Sequence, residues 1–190
     1  LGQLTALRYL DLSANQLGGP LPWWPELPAL QHLDLSANGF DGSLPAAVAG
    51  LPELTYVALH TNHLSGSIPA TWGQLGAQLV FTPTGTTPPP GVYIDLSVNH
   101  LYGPIPAELG QNPALKGLQL AGNALSGLVP EAILRHPFAY LGLDYNQLQT
   151  LRWEGYWLAT QTVAPTALQA TAQALTVTLT WEPPPFYDPD

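Results

Sequence analysis

An α/β-type solenoid, a chain wound into turns that stack on one another, is the fold class this sequence predicts. Three observations carry that expectation. Asparagines recur at Asn15, Asn38, Asn62, Asn99, Asn123 and Asn146, at spacings of 23, 24, 37, 24 and 23 residues. Ahead of them stand LRYLDLSAN, LQHLDLSAN, LTYVALHTN, GVYIDLSVN, LKGLQLAGN and FAYLGLDYN, which share one apolar rhythm. Behind the first five come LGGPLP, FDGSLP, LSGSIP, LYGPIP and LSGLVP. A constant period of this length marks a repeat array, in which a turn buries its apolar face only against its neighbours.

Each part of the period has a physical reason. In LxxLxL the last two apolar residues alternate as in a strand, which puts them on one buried face. The asparagine falls where the chain must turn inward, and its amide can satisfy backbone groups of adjacent turns, since buried polar groups need partners. Stacked asparagines then form a ladder. Glycine permits the bend, and the closing apolar-Pro returns the chain along the outer side.

This pattern resembles the plant-type leucine-rich repeat subclass, LxxLxLxxNxLxGxIP. The resemblance covers about residues 1–151 in six copies, five of them near complete. It implies an arc with a parallel sheet on the concave face and short strands or 3₁₀ turns on an irregular convex side. The sixth copy departs: Asn146-Gln147-Leu148 is followed by neither Gly nor apolar-Pro, so the array is expected to end there.

Two irregularities interrupt the array. Trp23-Trp24-Pro25 stands where other turns carry Ala46-Ala47-Val48 or Ala70-Thr71-Trp72. By register Pro25, Val48, Trp72, Leu109 and Ile133 share an inward convex position, leaving Trp23 and Trp24 exposed. The long spacing holds an insertion at about 79–91 with a TPTGTTPPPG run, which reads as a stiff surface loop at the rim. Past 151 the composition changes. Residues 152–165, beginning Arg152-Trp153-Glu154-Gly155-Tyr156-Trp157, are expected to cap the last turn and link onward. Residues 166–190 open with TALQATAQALTVTLTWEP, two alternating runs that read as strands and resemble the start of a fibronectin type III domain. Two strands do not stand alone.

Composition narrows the function. With 4 Lys+Arg against 13 Asp+Glu, the net charge is −9. That excludes the cationic phosphate contacts on which nucleic-acid affinity rests, and anionic membrane surfaces equally. There is no Cys, hence no disulfide or thiol chemistry. No apolar run reaches the roughly 18–20 residues of a membrane span. Met is absent, and Leu1-Gly2-Gln3-Leu4 reads as the tail of an earlier repeat, so the chain is expected to be cut or processed at its start.

Two outward columns on the concave strands are the candidate binding surface. One holds Tyr9, His32, Tyr56, Tyr93, Gly117 and Tyr140; the other holds Asp11, Asp34, Ala58, Asp95, Gln119 and Gly142. Adjacent strands lie about 4.8 Å apart, so the columns predict an aromatic ladder beside an acidic one, a composition enriched in recognition surfaces. Such positions also simply favour β-formers. Asp11 and Asp34 should be neighbours, a pairing that suits a weak cation site better than acid–base catalysis on so open a face. His63 and His100 both follow ladder asparagines, with His60 close by. Imidazoles at that separation can bind zinc, but no cysteine or nearby carboxylate completes the set, and no metal or other cofactor is assigned. No catalytic motif is present, and Ser13, Ser36 and Ser97 are repeat positions rather than activated nucleophiles.

The expected function is a non-catalytic extracellular or cell-surface recognition module. Its ligand would be a protein, peptide or glycan, held on Tyr9, Asp11, His32, Asp34, Tyr56, Tyr93, Asp95 and Tyr140. The lack of cysteine caps and of an N-x-[ST] sequon favours a bacterial surface or secreted protein. The alternative is a structural subunit of a surface layer or filament. It would assemble head to tail through an open solenoid end or add its C-terminal strands to a neighbour.

Overall fold

Each turn lays down two short strands, and the two sets pair into separate parallel sheets. The computed structural model describes residues 4–21, 27–76, 91–149, 166–173 and 176–182. The inner strands are β1 (Tyr9–Asp11), β3 (His32–Asp34), β5 (Tyr56–Ala58), β7 (Val92–Asp95), β9 (Leu115–Gln119) and β11 (Tyr140–Gly142). They pair in chain order into a six-stranded parallel sheet. The outer strands β2 (Gly18–Pro20), β4 (Gly39–Ser43), β6 (His63–Gly66), β8 (His100–Gly103), β10 (Ala124–Leu128) and β12 (Gln147–Gln149) form a second sheet in the same order. The architecture is the leucine-rich-repeat type of solenoid that the period implied, with the first sheet lining the concave face.

The core runs between the sheets as one ribbon. Leu30, Leu33 and Leu35 of the second turn are fully buried, and so are Leu54, Leu59 and Leu64 of the third. Each such side chain contributes about 1.5–3 kcal/mol relative to leaving it in water. The return path is set by proline. Pro45, Pro69, Pro106 and Pro130 precede 3₁₀ turns at Ala46–Gly50 and Ala70–Gln74 and single α-helical turns α1 (Ala107–Gln111) and α2 (Glu131–Arg135). A residue with φ fixed near −65° and no N–H fits ahead of a helical turn, where that donor would be idle. Each turn then drops one side chain inward: Val48, Trp72, Leu109 and Ile133. The Trp72 indole donates its Nε1–H to the Pro45 carbonyl at 3.1 Å.

The asparagine ladder forms as the period predicts. Asn62 Nδ2 donates to the Leu59 carbonyl in its own turn (3.0 Å) and the Leu35 carbonyl in the turn before (3.1 Å). Its Oδ1 accepts the Phe40 N–H at 3.0 Å. Asn38, Asn99, Asn123 and Asn146 repeat the pattern. Immediately before the ladder, Ala14, Ala37, Thr61, Val98 and Tyr145 take positive φ values of 52–56°. L-residues enter that region at a cost; here a turn stacked on both sides holds them in it.

The pattern did not reveal that the outer segments pair into a regular sheet. They are only three to five residues long and carry glycines at positive φ, such as Gly42 and Gly66, so they lack the composition of strands. Trp23 and Trp24, the insertion's Thr/Pro run and the segment 152–165 lie outside the described residues. Beyond them β13 (Thr166–Gln173) and β14 (Thr176–Glu182) form an antiparallel hairpin.

Candidate functional site

The register of the first sheet places the predicted columns in line. Tyr9, His32, Tyr56, Tyr93, Gly117 and Tyr140 are partners across successive strands, as are Asp11, Asp34, Ala58, Asp95, Gln119 and Gly142. Within these lines the side chains do not behave uniformly.

The aromatic column divides. Tyr9 and His32 stack at 4.0 Å between ring centroids with an 11° interplanar angle, and His32 stacks on Tyr56 at 4.2 Å and 2°. Tyr56 and Tyr93 do not continue the stack. The Tyr93 ring lies instead over Gly117, where an added Cβ would meet it at 2.5 Å. Tyr140 stands apart and 64% exposed. The expected ladder is therefore a three-ring stack, a tyrosine folded over a glycine, and a lone tyrosine.

The carboxylates are held by a local device. Oδ1 of Asp11, Asp34 and Asp95 accepts both the backbone N–H and the hydroxyl of the serine two residues on, at 2.9 and 2.7 Å for Ser13, 2.9 and 2.6 Å for Ser36, and 3.0 and 2.6 Å for Ser97. Ser13, Ser36 and Ser97 thus orient the acids, a role not assigned from the sequence. The signal for it was the DLS triplet, since aspartate readily bonds to the backbone two residues on. The Ser13 hydroxyl and N–H lower the Asp11 carboxyl below its ordinary range, with His32 adding to the effect. Burial raises the Tyr56 phenol, and Asp34, Asp95, Tyr9 and Asp11 push it the same way. Tyr56 is therefore a neutral hydroxyl between fixed negative charges. Among the described residues the only ion pair is Arg135–Glu131, far along the convex side.

Turns five and six break the acidic column. Gln119 folds over Gly142, where a Cβ would collide with its amide oxygen. Asp144 occupies the serine position of turn six, and its Oδ1 is the one buried side-chain polar atom without a hydrogen bond among the described residues. Burial raises its carboxyl above the ordinary range.

The histidines take two roles. His63 and His100 stack across β6 and β8 at 5.7 Å and 10°, as neighbours in adjacent turns should. Among the described residues no three His, Asp or Glu side chains gather closely enough to hold a metal ion. His136, unremarked in the sequence, points both ring nitrogens at carbonyls, Gly110 at 3.0 Å and Leu115 at 2.6 Å, tying α1 and the start of β9 to the following turn.

Residues 6–27 and 29–51 match the Leucine Rich Repeat family model. The chain carries leucine-rich repeats. Solved structures with the same winding include a TDR receptor, 32% identical over 77% of this chain and 24% of that one, with a TM-score of 0.64. The BIR3–SERK2 complex from Arabidopsis thaliana is 33% identical over 73% of this chain and 66% of that one, TM-score 0.57. The Arabidopsis receptor kinase HAESA in complex with the peptide hormone IDA and the co-receptor SERK1 is 27% identical over 77% and 27%, TM-score 0.51. The chain thus spans about a quarter of the TDR and HAESA chains it resembles. No curated protein sequence matches it. No helix among the described residues is long and apolar enough to cross a membrane.

Proposed function

We propose that this chain is a non-catalytic, extracellular recognition module that binds a protein, peptide or glycan on its concave sheet. The ligand rests on Tyr9, His32, Tyr56, Tyr93 and Tyr140 and on the Asp11, Asp34 and Asp95 column. The observation that carries the reading is the arrangement of turns one to four, where stacked rings stand directly beside carboxylates already oriented by serine. Rigid amphipathic rings and pre-set polar groups give up little freedom on binding. A peptide is the ligand class with outside support, because the HAESA structure holds a peptide hormone on a related solenoid. The C-terminal hairpin is read as the opening of a fibronectin type III-like domain that follows the repeats.

Joint replacement of Tyr56 and Tyr93 by Ala tests the reading. Capture of partners from secreted peptide and glycan pools should be lost while the far-UV circular dichroism is retained and unfolding stays cooperative, its midpoint lowered only by the lost ring contacts. Capture that survives the double substitution removes the concave face as the site. Sedimentation over a concentration series addresses the self-assembling alternative, which a single monomeric species would exclude.

A further inference from the structure

Of the five histidines, two stand side by side with nothing holding their ring nitrogens. His136 has both nitrogens on carbonyls, His60 turns Nδ1 to the Thr61 hydroxyl, and His32 is closed between Tyr9 and Tyr56. His63 and His100 are exposed on β6 and β8, and among the described residues no hydrogen bond engages either ring. Their rings are parallel within 10°, with centroids 5.7 Å apart. The backbone beneath them is fixed by the ladder. The Asn62 N–H donates to the Val98 carbonyl at 3.3 Å, and the Leu64 N–H donates to Asn99 Oδ1 at 3.0 Å. Two imidazoles are therefore presented on neighbouring, rigidly joined strands, and only their side-chain rotors remain free.

We propose that His63 and His100 together bind one divalent transition-metal ion of the Zn²⁺, Ni²⁺ or Cu²⁺ class, which clamps turns three and four. Imidazole nitrogen binds such ions at about 2.0–2.1 Å, so the two ligating nitrogens must come within about 4 Å of each other. Turning the two rings achieves that closure while the strands stay where they are. Water fills the remaining positions, so the ion is exchangeable and not locked in a closed cage. Imidazole selects this class over Mg²⁺ and Ca²⁺, which prefer oxygen ligands. Charge works in the same direction. Asp41 is exposed on β4 in register with His63, and a chain carrying −9 draws cations toward its surface. His63 and His100 lie on either side of the 37-residue spacing, so the ion would tie together the two halves of the one irregular joint in the array. The site belongs to the second sheet and does not depend on the concave face being a binding surface.

The test is a Zn²⁺ titration of the isotope-labelled full chain at about pH 7.5, where protons compete little for the nitrogens. Histidine ring signals and amide shifts are followed together. The expected result is saturable change at His63 and His100 with one ion per chain, while the rings of His60 and His136 stay unmoved. His63→Gln and His100→Gln should each weaken binding by about tenfold or more, because one imidazole alone does not make the chelate. Ni²⁺ should bind more tightly than Mn²⁺, and excess Mg²⁺ should displace nothing. Saturating Zn²⁺ should also raise the urea midpoint of the parent and leave that of His63→Gln where it was, since the ion favours the folded pair over the unfolded chain.

Each single variant keeping about half of the Zn²⁺ signal at unchanged affinity would mean two independent solvated imidazoles, and overturns the proposal. So does displacement by Mg²⁺, which would place the ion on carboxylates such as Asp41. Shifts that follow His60 or His136, or no saturable shift at all, overturn it as well. Circular dichroism of both variants should match that of the parent, because the two side chains are exposed and the ladder bonds beneath them come from the asparagines and the backbone.

Discussion

Turns one to four and turns five and six are wound on the same backbone but present different surfaces. The first group carries the ring stack and three serine-held carboxylates. The second carries Gly117, Gln119 and Gly142 at the same positions, with side chains from the preceding strand folded over the two glycines. Register, ladder and core continue through both. What differs lies mostly in residues that point away from the core, with the half-buried Asp144 the exception. A solenoid can therefore keep its fold while its outward residues vary, and here the stacked rings and serine-held carboxylates are concentrated toward one end of the array.

If the two groups truly share one scaffold, their ladder asparagines should be interchangeable in energy. Asn62→Ala and Asn123→Ala should each cost about 2–4 kcal/mol in urea unfolding, because each leaves carbonyls and one N–H of the adjacent turns without partners. A disparity beyond about 1 kcal/mol would mean that the turns are not equivalent inside. On the outside the groups should diverge. Tyr56→Ala removes a ring from the stack and should cost about 0.5–1.5 kcal/mol. Tyr140→Ala, with no stacking partner, should stay within about 0.5 kcal/mol of the parent.

Acid should push the two ends in opposite directions. Asp144, raised by burial above its ordinary 3.8, weighs on stability once the pH climbs past that value, and in full above its folded value. Asp144→Asn should therefore stabilise the protein at pH 7 by about 1 kcal/mol at most, since the group is partly solvated. The gain should vanish below the unfolded value. Asp11 is lowered by its Ser13 bonds, so its support is present above 3.8 and is lost as the pH falls through the lower folded value. Asp11→Asn should accordingly flatten the acid limb of the stability profile, an effect smaller than that of Asp144 and readable from unfolding midpoints between pH 2 and 7.

The winding, the ladder and both columns could be read from the chain because a strict period turns sequence position into spatial position. Once Asn15 to Asn146 are aligned, Tyr9, His32 and Tyr56 must be neighbours. The side-chain choices were harder. Tyr93 leaves the column because Gly117, one turn later, offers no side chain to stop it, and this depends on a pair of residues in different turns. The Asp11–Ser13 bond was written openly in DLS, yet the column view treated the aspartates as free. The second sheet escaped notice because its strands are short and rich in glycine, so their pairing follows from stacking and not from composition.

The joint between turns three and four carries a practical consequence. Asn99 reaches the Leu59 carbonyl at 3.0 Å and takes the Leu64 N–H at 3.0 Å, matching what Asn62 does within an ordinary period, although 37 residues separate the two asparagines. The ladder closes without regard to how much chain lies between. Loop closure grows costly only slowly, at about 0.6 kcal/mol for each doubling of length. That junction is thus a natural splice point, at which a peptide tag or a small foreign domain could be inserted without re-engineering the repeats on either side.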